Sequence, residues 1–230
     1  MAQTKAPSPR RFIYSLLAVS GFAILMVVAR YLESDSSRYL FLIWNLALAA
    51  VAPLVAWWLT HRVRSGGWLQ WQQIVLTILW LVFLPNSFYI VTDFIHLSRT
   101  YEVAVLYDAV MIMAFATSGM ILGYTSLYLV HREMHRRLST ITSWSVMSLL
   151  ILLVSFAIYL GRYSRWNTWD ILLRPAGLLF DVSDRIVNPL AHSQTYVTTL
   201  IFFGLISSVY FVIWELGRLF EQTGKTISHD

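Results

Sequence analysis

FLPNSFYIVTDFIHL, residues 83–97, closes a membrane-length apolar run with ionisable chemistry. Pro85 brings no amide donor and crowds the turn before it, so the run is expected to kink or restart there rather than continue as a straight helix. Beyond it, Asn86, Tyr89, Asp93 and His96 follow at spacings of three, four and three, which sets them on one stripe of a helix. Phe88, Val91, Phe94 and Ile95 take the opposite side. The arm is amphipathic, with lipid or packed protein behind it and a polar face in front.

Outward from this arm the composition is that of a membrane protein. The 230 residues are 57% hydrophobic and 13% charged, with a mean hydropathy of +0.61, well outside the range of soluble domains. The length suits one helical bundle of about five to seven spans. Apolar runs at Phe12–Ala29, Tyr39–Leu59, Ile74–Ile95, Ala104–Val130, Trp144–Leu160 and Tyr196–Trp214 make six, so the expected fold is an all-α polytopic transmembrane bundle. It reads as a single transmembrane domain over residues 12–219, between a basic cytoplasmic tail at 1–11 and a second cytoplasmic tail at 220–230. The net charge of +5 does not point to nucleic acid, because the 17 basic residues are scattered at the ends of apolar runs. Zero cysteine excludes disulfides, thiolate metal ligands and a cysteine nucleophile, and is silent on compartment.

Basic residues in the short loops set the expected orientation. With both termini cytoplasmic, Lys5, Arg10, Arg11, Arg62, Arg64, Arg132, Arg136, Arg137, Arg218 and Lys225 lie inside. Arg30, Arg38, Arg99, Arg162, Arg165, Arg174 and Arg185 lie outside, four of them in the long connection Gly161–Thr195, where the rule is weaker. Within that connection, Phe180 to Leu190 puts Val182, Ile186, Val187 and Leu190 on one face and Asp184, Arg185 and Asn188 on the other, a pattern suited to a helix lying in the interface plane. No internal repeat or inverted copy of the Pro-Asn motif is visible, which counts against a repeat-built transporter.

LPNSFYIVTDFIHL, the pair Tyr107-Asp108 and GRYSRWNTWDILLRP together resemble a family of bacterial multi-spanning proteins, domain of unknown function family 1361, over most of the chain. The resemblance implies an integral protein of a bacterial inner membrane, and it brings no activity, substrate or cofactor. One position departs: the family's second motif has Asn-Ser-Trp-Asp, and Thr168 stands here where that serine would be, keeping a hydroxyl.

Six spans place the ends of the third, fourth and fifth at one depth, so the polar motifs are expected to converge at the outer face. Ionisable groups at a bundle's edge mark functional candidates. Asp93, His96 and Asp108 are the candidate catalytic groups, with His96 as general acid or base oriented by either carboxylate. Asn86, Tyr89, Arg162, Arg165, Asn167 and Asp170 are the candidate ligand-binding groups, Arg162 and Arg165 sharing a helical face suited to a phosphate, lipid head group or carboxylate. The plainer reading has these arginines neutralising Asp93, Asp108 and Asp170 in an internal lock. Asp93 and His96, at i and i+3, can also reach one ion with Asp108 as a third oxygen ligand, although no metal-ligand motif is recognised. His131 and His135 in HREMH, beside Arg132, Arg136 and Arg137, read as a solvated basic helix end, Asn45 as interhelical glue, and the border tryptophans as interface anchors. Three functions fit: a site for an anionic or lipid head-group ligand, a small-solute carrier gated near Pro85, and a structural or assembly protein. The partner expected in each is the lipid bilayer.

Overall fold

The computed structural model describes residues 9–97 and 102–227. Most of the expected N-terminal tail, Arg99 with the rest of the link 98–101, and residues 228–230 lie outside the described residues. The chain forms α1 (Pro9–Ser34), α2 (Phe41–Gly66), α3 (Trp71–Tyr89), α4 (Glu102–His135), α5 (Thr140–Arg162), α6 (Asp170–Leu173), α7 (Pro175–Val187) and α8 (Ser193–Ile227), with no strand among the described residues. Six helical segments, all but α6 and α7, are long and apolar enough to cross a membrane, as the sequence predicts. They outlast the apolar runs. α4 continues from Val130 to His135, because the backbone ladder carries on where side chains turn polar.

The bundle is built around α3 and α4. α2 packs along both, α1 lies on α4, and α5 lies on α3 and packs along α8, which also touches α4. Leu54, Ile78, Leu149 and Leu200 are exposed, while Ser87, Ser118, Ser126 and Ser155 are fully buried. Apolar surface outside and small polar residues inside is the arrangement expected where the solvent is lipid and helices associate by close packing and internal hydrogen bonds. The Trp80 indole N–H donates to Ser126 Oγ, and Ser87 Oγ donates to the Ala49 carbonyl. Gly119 and Gly123 let α4 meet α3 backbone to backbone: a methyl group at Gly119 would lie 2.6 Å from the Ser87 carbonyl oxygen.

Two expectations are corrected here. α3 runs through Pro85 in α geometry as far as Tyr89, so the break does not fall at the proline. The lost donor is tolerated in a helix held by neighbours on three sides, and the winding changes only at Ile90, where a 3₁₀ segment runs to His96. Nor are the histidines at the end of α4 solvated: His131 is fully buried and Glu133 is 2% exposed, whereas Arg136 and Arg137 just beyond them are exposed. The His131 ring stacks on Trp214 at 4.0 Å, its Nδ1 lies 2.8 Å from the Tyr210 hydroxyl, and Ser143 Oγ lies 3.0 Å from His135 Nδ1. These contacts tie α4, α5 and α8 together at that end.

Candidate functional site

α2 and α5 both pack on α3 and scarcely touch each other, which leaves a cleft of about 300 Å³ floored by α3. Each wall is a helical stripe. α3 and its 3₁₀ extension supply Val82, Pro85, Asn86, Tyr89, Asp93 and His96, about 20 Å of length at the helical rise. α2 supplies Phe41, Trp44, Asn45 and Leu48, and α5 supplies Ala157, Leu160, Gly161 and Arg162. The connection after α5 roofs the end with Trp166, Asn167, Thr168 and Trp169. The predicted stripe Asn86, Tyr89, Asp93, His96 thus faces one cavity, because a spacing of three survives the change to 3₁₀ winding.

The polar groups sit at one end of the cleft. Asp93 is 1% exposed, and Arg162 Nη1 lies 3.4 Å from its Oδ1. Asn45 Nδ2 donates to Asp93 Oδ2 at 3.0 Å. Arg162 also donates to the Thr92 carbonyl at 2.8 Å and to the Tyr89 hydroxyl at 3.3 Å. Both carboxylate oxygens are therefore engaged, and neither orients His96. The His96 ring packs edge-on against Phe41, and among the described residues no side chain or backbone group bonds its nitrogens. Toward the bundle's middle the lining becomes apolar through Leu48, Val82, Pro85 and Ala157.

The roof is fixed by local bonds. α5 stops at Arg162, and Arg165 takes a left-handed conformation (φ 59) that turns the chain back over the cleft. Asn86 Nδ2 donates to Thr168 Oγ1 at 3.1 Å, so this hydroxyl latches roof to floor. Asp170 accepts the Asn167 backbone N–H at 2.8 Å and Arg174 Nη2 at 2.7 Å, and these bonds, the backbone one foremost, hold its carboxyl below the usual carboxylate range. Trp166 donates its indole N–H to Asp181.

The expected single cluster divides. Asp108 pairs with Arg30 of α1 at 2.7 Å, not with Arg162 or Arg165, and accepts from the Tyr39 hydroxyl at 3.0 Å. It does not line the cleft, although Tyr39 Oη, 3.4 Å from the His96 carbonyl, makes the two groups neighbours. Arg165 is exposed and outside the lining, because the helix ends before the two arginines can share a face. Asp170 serves the roof from within it. Asn86, Tyr89, Asp93, His96, Arg162 and Asn167 are brought together as anticipated. Trp44, Asn45 and Thr168 are additions to the lining, and Arg30 and Tyr39 are the unforeseen partners of Asp108. Arg30 carried a signal, standing at the end of the first span on the same side as Asp108. Among the described residues no group of three or more His, Asp or Glu side chains is placed to hold a metal ion.

A family model described as "Protein of unknown function (DUF1361)" matches residues 44–209, a range that holds α3 to α7 whole and nearly every residue of the cleft. No curated protein and no solved structure matches the chain.

Proposed function

The chain belongs to the DUF1361 family, and from the cleft's geometry we propose that it binds the head group of a membrane amphipath entering sideways from the bilayer. The observation that carries this reading is the polarity gradient along the cleft: Asp93, Arg162, His96 and Asn45 at one end, Leu48, Val82 and Ala157 at the other. Trp44 on α2 and Trp169 and Ile171 in the roof line the cleft and are exposed, which supports access from lipid beside them. A volume near 300 Å³ is at the small end for organic ligands. It suits a head group and its first methylenes, with the chains left in the bilayer. Hydrogen-bonding groups at the polar end fix orientation, and His96 is the ionisable group free to contact the ligand. Binding is better supported than acid–base catalysis by Asp93, whose oxygens are both occupied.

Filling the apolar half tests this. The wild-type protein should co-purify with lipid, and Ala157→Phe should lower its occupancy by about tenfold or more, with thermal stability little changed. An identical lipid complement on both proteins would remove the proposal. The same reading places the polar end of the cleft outside the cell membrane's cytoplasmic face, with both termini cytoplasmic, supported by the distribution of Lys and Arg. A cysteine at Ser193, the start of α8, should then react with an impermeant maleimide on intact cells. Reaction only after lysis inverts the topology.

A further inference from the structure

At the opposite end of the bundle one buried carboxylate gathers three guanidinium groups. Arg64 at the end of α2 lies 3.0 Å from Glu133, and Arg136 and Arg137, just past α4, lie at 3.4 and 3.3 Å. Among the described residues, the other buried carboxylates each have one arginine partner: Asp93 has Arg162, Asp108 has Arg30 and Asp170 has Arg174. Three cations on one anion leave two charges in excess. The C-termini of α2 and α4 contribute about half a negative charge each, and the Val63 carbonyl takes one Arg137 donor at 2.8 Å. A net positive charge of about one remains, with most guanidinium donors unspent.

The cluster is open where a ligand would approach. The Arg64 and Arg136 side chains are about half exposed, at 52% and 50%. Gly67, at φ 83, turns the chain beside Arg137 Nη1 and presents no side chain there. Leu69 and Trp71, immediately after this turn, are 91% and 72% exposed, and residues of that kind at a bundle's end lie at head-group depth. We infer that Arg64, Arg136 and Arg137, held together by Glu133, form a binding site for a phosphate group, with anionic phospholipid as its source. Phosphate oxygens accept paired guanidinium donors, and Glu133 serves to hold the arginines in one place against their mutual repulsion.

The purified full-length protein in detergent is titrated with phosphatidylglycerol, phosphatidylcholine and, separately, inorganic phosphate at matched ionic strength. Phosphatidylglycerol should raise the unfolding temperature saturably by about 4 °C, weakening with added salt, while phosphatidylcholine should not. Arg64→Gln/Arg136→Gln should abolish the shift, with Arg137 left to pair Glu133. If that variant does not fold, Arg64→Gln alone should weaken phosphatidylglycerol binding about threefold. Arg62→Gln, an exposed arginine outside the cluster, should leave the shift intact. An equal response to inorganic phosphate, lost in the same double variant, supports the site and identifies it as one for free phosphate. The proposal is overturned by no shift with either anion, by a shift that survives loss of both arginines, or by one lost equally in Arg62→Gln.

Discussion

Arg162→Ala should destabilise the bundle by about 3 kcal/mol, near the low end for removing one partner of a buried ion pair. The low end applies because the Arg162 side chain retains 12% exposure and lines the cleft. The loss has an identifiable origin: Asp93, 1% exposed, would keep Asn45 as its remaining polar partner. Its charge would then face desolvation nearly alone. Asp93→Asn added to Arg162→Gln should recover more than half of the loss, since an amide at position 93 still accepts from Asn45 and no charge is stranded. Reversible unfolding in mixed micelles measures both. A cost below about 1 kcal/mol for Arg162→Ala would mean that the carboxylate is hydrated in the cleft and that the pair does not hold α5 to α3. The double variant also separates two roles. If it folds and no longer retains the co-purified amphipath, the pair serves the head group, whereas retention makes it a lock between helices.

What the sequence made legible follows from how far each signal reaches. Apolar run length depends on bilayer thickness alone, so six spans were readable without knowing any contact. The stripe Asn86, Tyr89, Asp93, His96 was readable because helical spacing is local, and it held even where the winding tightened. Which helix lies beside which is a different kind of information. Asp108 was assigned to Arg162 and Arg165 on depth alone, yet α1 packs on α4 and brings Arg30 to it first. Several arginines shared that depth, and depth cannot choose among them. The Pro85 break failed for a similar reason: local geometry states the cost of a lost hydrogen bond, while the packing that offsets it comes from α2, α4 and α5. His131 was read from its charged neighbours Arg132, Arg136 and Arg137. Its burial is decided by Trp144, Tyr210 and Trp214, which lie on other helices.

Gly119→Ala should cost about 2–3 kcal/mol, toward the upper part of the range for overpacking a close contact, although alanine is the better helix former by about 1 kcal/mol. The added methyl would lie 2.6 Å from the Ser87 carbonyl oxygen and 2.8 Å from Ile90 Cδ1. A side-chain end can rotate away, but the carbonyl belongs to α3 and moves only if the helix moves. Gly21 and Gly204 give the control, because a methyl group at either meets nothing within 4 Å. Alanine there should be neutral or stabilising by up to about 1 kcal/mol, so the three variants, compared by unfolding in the same micelles, separate helix propensity from contact. The displacement at Gly119 should also reach the cleft. Ser87 lies next to Asn86, and Ile90 begins the 3₁₀ segment that carries Asp93 and His96, so moving α3 off α4 shifts the polar stripe relative to Arg162 on α5. Loss of the bound amphipath from Gly119→Ala, at a temperature where the variant is still folded, is the expected companion result. A Gly119→Ala protein as stable as Gly21→Ala would show that α3 and α4 do not meet at this contact, and the position of the cleft floor would have to be reconsidered with it.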